Sequence, residues 1–278
     1  MTTSNHLGLV FTTDFWKKQL DFFLLVIVIC EVIHDPHKWI NVIFIALCFA
    51  GFLPQIHLRK NLVFWAVLAG LYLLTKNGYP LLANHHFLIF YLLLSKVFHI
   101  YFKLNEQQEA QVYKVYFSII MLVAAIYKLQ SSDLMNGSVY YYMWVNNMLF
   151  ESVTPYVYES YSVLTADNVN ALEGLFQRNK GSITLDKGPL DLLPFFKLYT
   201  WTAVILELLV SFLFWTPWTK MTHIIVLLFI FLVPLATTEF TFLSLVSLLA
   251  LSQVNEHSRS FAWIYAGLLL FYTSLSLY

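Results

Sequence analysis

Apolar runs separated by short polar stretches dominate the chain. A helix needs about 20 apolar residues, some 30 Å, to cross a bilayer. The runs predict helices at these positions: Leu20–Ile33, Trp39–Ile56, Leu62–Thr75, His86–Phe102, Val115–Leu129, Phe196–Trp215, His223–Phe240, Thr241–Leu251 and Phe261–Leu277. Because several are short, we expect about eight crossings, within a range of about seven to nine. The predicted fold class is all-α: a polytopic transmembrane helical bundle, forming a single transmembrane domain over residues 1–278.

Two places depart from this regular pattern. Residues 130–194 form the one long interruption, in which Val139–Trp144 predicts an aromatic helix lying in the membrane interface. Asn168–Asn179 predicts a short amphipathic helix further along the same segment. Near the end of the chain, Pro234 predicts a kink. Thr241–Leu251 is too short to cross alone, so it either extends the preceding helix or forms a hairpin or re-entrant piece.

The basic residues predict an orientation. With the N-terminus in the cytoplasm, the short cytoplasmic loops hold most of the lysines and arginines near the predicted helices: Lys17, Lys18, Arg59, Lys60, Lys103, Lys114 and Lys220. The opposite short loops hold only Lys38 and Lys76. Since positive charge concentrates on the cytoplasmic side, we expect residues 130–194 to be extracytoplasmic.

Composition supports the membrane assignment and excludes other classes. Hydrophobic residues make up 59% of the chain and charged residues 12%, whereas soluble domains carry about 25% charged residues. The formal net charge of +0 gives no basic surface for nucleic acid. The first apolar run lacks a cleavage site, so we expect it to be retained as a span. Cys30 and Cys48 lie in apolar runs without metal-ligand spacing, and we interpret them as small hydrophobic residues. No metal site is predicted.

Ionisable residues at membrane depth are the candidates for chemistry, because they are costly there and usually face a cavity. Six such residues stand out: Glu31, His85, His86, Lys128, Glu207 and Glu239. On the predicted topology all of them except Glu207 fall near the extracytoplasmic face. Glu207 lies deep in its run, and we interpret it as a structural hydrogen-bond partner within the bundle.

Lys128 is the strongest candidate for catalysis. A lysine in an apolar pocket loses part of its preference for the ammonium form, because desolvation disfavours charge. It can then act as a base, with His85 assisting and with His86, Glu239 and Glu31 lining a possible pocket. The alternative is that Lys128 extends to the lipid headgroups while both histidines sit in the interface.

Three segments in order resemble the HTTM domain, the membrane module of vitamin K-dependent γ-glutamyl carboxylases. Asn84–Tyr91 (NHHFLIFY) opens a helix, Ala124–Gly137 (AAIYKLQSSDLMNG) closes one, and Tyr199–Leu209 (YTWTAVILELL) begins another. The resemblance covers roughly residues 40–250. It implies that Lys128 is the base that deprotonates a reduced quinone, that His85 supports it, and that Glu207 belongs to a structural helix.

The chain also departs from that pattern. Ala124-Ala125 replaces the usual Ala-Gly pair. In the next helix the family often has a histidine after a phenylalanine, and Phe231–Pro234 lacks it. The carboxylase's large lumenal domain has no counterpart, so a γ-glutamyl carboxylase is not expected. Bacterial relatives of the module include the membrane partner that matures a sporulation-delaying toxin. DoxX-like quinone-linked proteins are a more distant comparison.

Three functions follow from these observations. The first is an enzyme in which Lys128 acts on a lipophilic, quinone-like or peptide substrate at the extracytoplasmic face. The second is a non-enzymatic membrane partner in the maturation or export of a secreted peptide. The third, a transporter, is disfavoured because the sequence shows no inverted repeat. A reduced quinone is the one cofactor that the resemblance suggests, and the lipid bilayer is the expected environment.

Overall fold

Helices make up every regular element in the part of the chain that the structure describes. The computed structural model describes residues 15, 19–33, 39–53, 58–76, 84–146, 149, 161, 163–168, 170, 192–217, 219–236, 239–255 and 258–277. In chain order the α-helices are α1 (Leu20–Ile33), α2 (Trp39–Gly51), α3 (Leu62–Thr75), α4 (Asn84–Phe102), α5 (Glu106–Gln130), α6 (Ser132–Met135), α7 (Ser138–Val145), α8 (Leu193–Leu213), α9 (Thr219–Ala236), α10 (Phe240–Ser252) and α11 (Arg259–Leu275). A 3-10 turn, Leu58–Lys60, precedes α3. The all-α prediction is confirmed for these residues.

Most helix positions agree with the apolar runs. Leu20–Ile33 and Leu62–Thr75 have the predicted ends, whereas the run from Trp39 stops at Gly51. The aromatic stretch predicted to be helical forms α7. The run from Thr241 forms a helix of its own, α10, instead of extending α9. Most of Asn168–Asn179 lies outside the described residues.

Among the described residues, three helices are long and apolar enough to cross a membrane: His85–Phe102, Glu106–Gln130 and Leu193–Leu213. Shorter apolar helices cover Trp39–Gly51, Leu62–Thr75, Thr219–Leu232 and Phe240–Ser252. Large apolar side chains lie exposed on the long helices; Leu198 on α8, for example, is 66% exposed. Such surface is unfavourable in water and suits a hydrocarbon solvent, so the chain is suited to association with a membrane.

The chain divides into two compact units. The first comprises Met1–Ile120, Ser211–Val226 and Glu239–Tyr278. Within it, α10 packs against α11, α1 and α4, while α3 packs against α2 and α4. Every residue of α10 from Leu243 to Ser252 is buried, as expected for a helix that is apolar on all sides. Its serine hydroxyls donate to carbonyls of the preceding turn, which satisfies them inside the apolar core.

The second unit comprises Met121–Val210 and Leu227–Thr238. An aromatic core forms where α7 meets the first turns of α8: the rings of Tyr141 and Trp144 each lie 5.8 Å from the ring of Phe196. Tyr161 stacks on Trp144 at 5.3 Å, and its hydroxyl donates to the Trp144 carbonyl. The predicted extracytoplasmic segment therefore contains a folded cluster with its own buried side chains.

Candidate functional site

The first polar cluster gathers around Glu31, in the last turn of α1. One Glu31 oxygen, Oε1, lies 2.7 Å from Lys76 Nζ, 3.1 Å from His86 Nδ1 and 3.8 Å from His85 Nε2. The histidines come from the first turn of α4, and Lys76 follows directly after α3. All four side chains are largely buried. Three of the residues singled out from the sequence, Glu31, His85 and His86, thus lie together.

Lys76 and Tyr72 complete this cluster, and neither was among the six candidates for chemistry singled out from the sequence. The Tyr72 hydroxyl lies 3.3 Å from His86 Nδ1, and Lys76 Nζ sits 5.8 Å from the centre of the Tyr72 ring. The ammonium of Lys76 balances the carboxylate of Glu31 in a place where an unpaired charge would be costly. The cluster is therefore a charge-balanced ion pair flanked by two imidazoles, whose ring centres are 4.2 Å apart and whose planes are tilted by 59°.

Glu31, His85 and His86 also present ligand atoms of the kind that a divalent metal uses. One atom from each residue lies within 4.8 Å of the others, and two histidines with one carboxylate is a common zinc or iron ligand set. Lys76, however, already donates to Glu31 Oε1, the oxygen that also lies near both histidines. Its ammonium would repel a metal cation bound there, so the present arrangement fits an ion pair better than a metal centre.

The second cluster is the pair formed by Lys128 and Glu207. Lys128, in the last turn of α5, donates from Nζ to Glu207 Oε1 over 2.6 Å. The side chains are 17% and 8% exposed, so water screens the pair only weakly. The second carboxylate oxygen, Glu207 Oε2, is buried and has no hydrogen-bond partner among the described residues.

The chemistry open to this pair is proton transfer. An ammonium paired with a carboxylate can accept one more proton, which gives an ammonium and a carboxylic acid. A proton donated by a ligand can enter at the free oxygen Oε2, or at Nζ after Lys128 has passed its own proton to Glu207. In either case the pair ends as an ammonium and a carboxylic acid. Lys128 therefore has Glu207 as an immediate proton partner, a role that the sequence interpretation had not given to Glu207.

A third cluster surrounds Lys96, in the middle of α4. Its ammonium contacts the carboxylates of both Asp21 and Glu109. Glu109 also accepts a hydrogen bond of 2.8 Å from the Tyr113 hydroxyl and lies 3.3 Å from His99 Nδ1. Its members were not among the candidates for chemistry singled out from the sequence. A signal was present, because Lys96 is an ionisable residue inside a predicted membrane span.

Glu239 stands apart from these clusters. It precedes α10 as its N-cap residue, and its backbone carbonyl accepts a hydrogen bond from Leu243. Its side chain is exposed and makes no ion pair among the described residues. The structure thus gives Glu239 a position at a helix start and does not join it to Glu31, His85 and His86.

The predicted common pocket of Lys128 and His85 stays a prediction. His85 belongs to the first compact unit and Lys128 to the second. What the structure provides is a partner for each residue: Glu31 for His85 and Glu207 for Lys128.

Comparisons with known proteins add no relative. No protein-family model, no curated protein and no solved structure matches the chain. The resemblance to the HTTM module therefore rests on the three sequence segments.

Proposed function

We propose that this chain is a multi-pass membrane protein of the HTTM type that carries out proton-transfer chemistry on a lipophilic, quinone-like substrate at the extracytoplasmic face. Its apolar helices and exposed apolar side chains support the membrane setting. The basic loops support an N-terminus in the cytoplasm. The chemistry is assigned to the Lys128–Glu207 pair.

One observation carries the proposal: residues from two separate motifs of the resemblance meet. Lys128 comes from the segment that closes one helix and Glu207 from the segment that opens another, 79 residues later, yet they form a largely buried pair at 2.6 Å. An isolated lysine extending to the headgroups would need no such partner. An acid and a base in direct contact, with one carboxylate oxygen that has no hydrogen-bond partner among the described residues, are suited to taking a proton from a ligand.

In the proposed step the hydroxyl of a reduced quinone hydrogen-bonds to the pair. The O–H bond breaks, its proton moves to Glu207 Oε2 or to Lys128 Nζ, and the electron pair stays on the quinol oxygen. The neighbouring ammonium of Lys128 stabilises the anion that forms, because opposite charges attract strongly where water is scarce. No oxidant or metal takes part in this step.

A binding experiment with a reduced naphthoquinone tests the proposal. The purified protein, in detergent and without oxygen, is titrated with the quinol and with its dimethyl ether, and tryptophan fluorescence reports binding. We expect the quinol to bind about tenfold more tightly, since a hydrogen bond to a charged group contributes about 1.5 kcal/mol. The absorbance spectrum of the bound quinol should be that of its anion at neutral pH.

Three variants complete the test. Glu207→Gln and the double variant Lys128→Met with Glu207→Gln should remove both the preference for the quinol and the anion spectrum. Lys197→Met serves as the matched control, because Lys197 is an exposed lysine on the same helix as Glu207. Equal binding of quinol and ether by the wild type would refute the proposal. An unchanged preference for the quinol in the double variant would also refute it. The double variant is used because removing both charges leaves neither of them unpaired in the protein.

A further inference from the structure

The two cavities next to Lys96 have no role in the proposed chemistry. Both belong to the first compact unit, and they share Asp21, Lys60, Lys96 and His99. One has a volume of about 340 Å³ and contains the acidic side chains Glu106 and Glu109. The other, which we term the basic cavity, has a volume of about 330 Å³. Its charged and titratable lining residues are Asp21, Arg59, Lys60, Lys96, His99 and Lys103.

Positive charge exceeds negative charge in the basic cavity. In the lining that the described residues provide, Arg59, Lys60, Lys96 and Lys103 face one carboxylate, that of Asp21. Lys96 is already matched by Asp21 and Glu109. The excess therefore comes from the other three cations, which make no ion pair among the described residues. Three like charges around one cavity repel each other, and an anion placed among them would relieve that repulsion.

The backbone fixes the positions from which these three side chains extend. Arg59 and Lys60 lie on the 3-10 turn before α3. There the Trp65 indole N–H donates a hydrogen bond of 2.9 Å to the Arg59 carbonyl. Lys103 follows α4 with a φ of 52°, in the left-handed region that only a few non-glycine residues adopt. The cations thus come from two different helix ends and converge on one space. This arrangement differs from lysines scattered over an open surface.

We propose that the basic cavity binds a phosphate group. Arginine and lysine are the side chains that best recognise phosphate, arginine by two parallel hydrogen bonds and lysine as a point charge. The cavity volume lies at the lower end of the range for small ligands, about 300–1,000 Å³. Arg59, Lys60 and Lys103 also belong to the loops that predict the cytoplasmic face, where basic pockets between helices bind anionic lipid headgroups. The phosphate can come from such a headgroup or from solution.

Thermal unfolding of the detergent-purified full chain distinguishes the two sources. Short-chain phosphatidylglycerol, short-chain phosphatidylcholine and inorganic phosphate are titrated separately, and the midpoint of unfolding gives an apparent Kd. Stabilisation by phosphatidylglycerol alone supports the site and assigns a lipid headgroup. Stabilisation by inorganic phosphate supports the site and assigns a free phosphate. The proposal is overturned if none of the three stabilises the protein. It is also overturned if the two lipids stabilise it equally and inorganic phosphate does not.

Substitutions localise the effect. Arg59→Ala combined with Lys103→Ala should weaken binding at least tenfold, because both residues would lose a charge-assisted hydrogen bond. Neither residue is buried, so the variant should unfold at nearly the wild-type temperature without ligand. Lys197→Ala with Lys220→Ala removes two positive charges that line neither cavity and should leave the Kd unchanged. Equal weakening by both double variants would indicate a general charge effect and would also overturn the proposal.

Discussion

At the residue scale, the burial of charge decides which side chains matter for stability. Lys96 is only 4% exposed, yet two carboxylates contact it and a tyrosine ring lies 5.2 Å from its ammonium. A buried ion pair adds little net stability when formed, but removal of one partner leaves an uncompensated charge in a medium of low polarity. The effect of a substitution on stability therefore depends on whether it leaves a buried charge without a partner.

Replacement of Lys96 by methionine should destabilise the protein strongly. Methionine fills a similar volume, but Asp21 and Glu109 would then face each other without a cation. We expect the free energy of unfolding to fall by about 3–5 kcal/mol, the usual result of breaking a buried pair. Thermal unfolding in detergent measures the effect as a lower midpoint, and the exposed Lys197→Met provides the control.

A second substitution separates charge from packing. Glu109→Gln should destabilise the wild type, since it removes a partner of Lys96, but should partly restore the Lys96→Met variant, since it removes the repulsion. If Lys96→Met unfolds at the same temperature as Lys197→Met, or if Glu109→Gln lowers the stability of both backgrounds equally, the charge argument is wrong.

At the element scale, the start of α7 depends on a glycine. Gly137 has a φ of +85°, which is strained for any residue with a side chain. An added Cβ would lie 2.6 Å from the backbone nitrogen of Lys197 and 2.9 Å from the Phe196 carbonyl carbon. Backbone atoms of a helix have little room to move away. The glycine therefore permits the close approach of α7 and α8 on which the aromatic core is built.

Gly137→Ala should loosen this core. The left-handed conformation costs about 1–2 kcal/mol for alanine, and the overlap adds about 1–3 kcal/mol. Hydrogen–deuterium exchange of the Ser138–Val145 amides should accelerate, because that helix would lose its contact with Phe196. Gly70→Ala is the matched control: a Cβ at Gly70 meets nothing within 4 Å, so the change should be neutral or stabilise by up to about 1 kcal/mol. Faster exchange of α7 in both variants would contradict this account.

The sequence predicted helix positions well wherever apolar residues mark them. The start of α5 was missed: the apolar run begins at Val115, but the helix begins at Glu106. A local signal existed, because Asn105 and Gln108 exchange side-chain-to-backbone hydrogen bonds of 2.9 Å, as in a capping box. The length of an apolar run cannot reveal polar turns that extend the helix before the run begins, as they do in α5.

The candidate sites were predictable only in part, for a different reason. Glu31 and the two histidines could be grouped because the topology puts their helix ends at one face. The contacts of Lys96 with Asp21, and of Lys128 with Glu207, depend on which helices are neighbours. Apolar helix faces look alike in a sequence and do not specify their partners. Tertiary packing supplied that information.

At the scale of the whole molecule, the ion pairs give the direction of two helices. Asp21 and Glu31 lie near opposite ends of α1, and their partners Lys96 and His86 lie in reverse order along α4. The two helices are therefore antiparallel within the first unit, with the two clusters about 15 Å apart at 1.5 Å per residue. Antiparallel α1 and α4 fit a chain that crosses the bilayer once with each of α1 to α4, whichever side it begins on.

Cysteine labelling across α5 tests this topology. α5 has 25 residues, about 37 Å of helix, enough to cross a hydrocarbon core of about 30 Å. Its flanks offer exposed positions, Lys103 before it and Asp133 after it. Cys30 and Cys48 are buried and unpaired, so alanine can replace both to give a background free of cysteine. Single cysteines at 103 and 133 then report the side on which each residue lies.

A membrane-impermeant maleimide should label Asp133→Cys in intact cells and Lys103→Cys only in inverted vesicles. The expectation follows from the basic loops, which place residue 103 in the cytoplasm and residue 133 outside. A permeable maleimide should label both variants in both preparations, which controls for reactivity. Labelling of both cysteines from one side would mean that α5 does not cross the membrane. Labelling in the reverse pattern would mean that α5 crosses but that the N-terminus lies outside, and residues 130–194 would then face the cytoplasm.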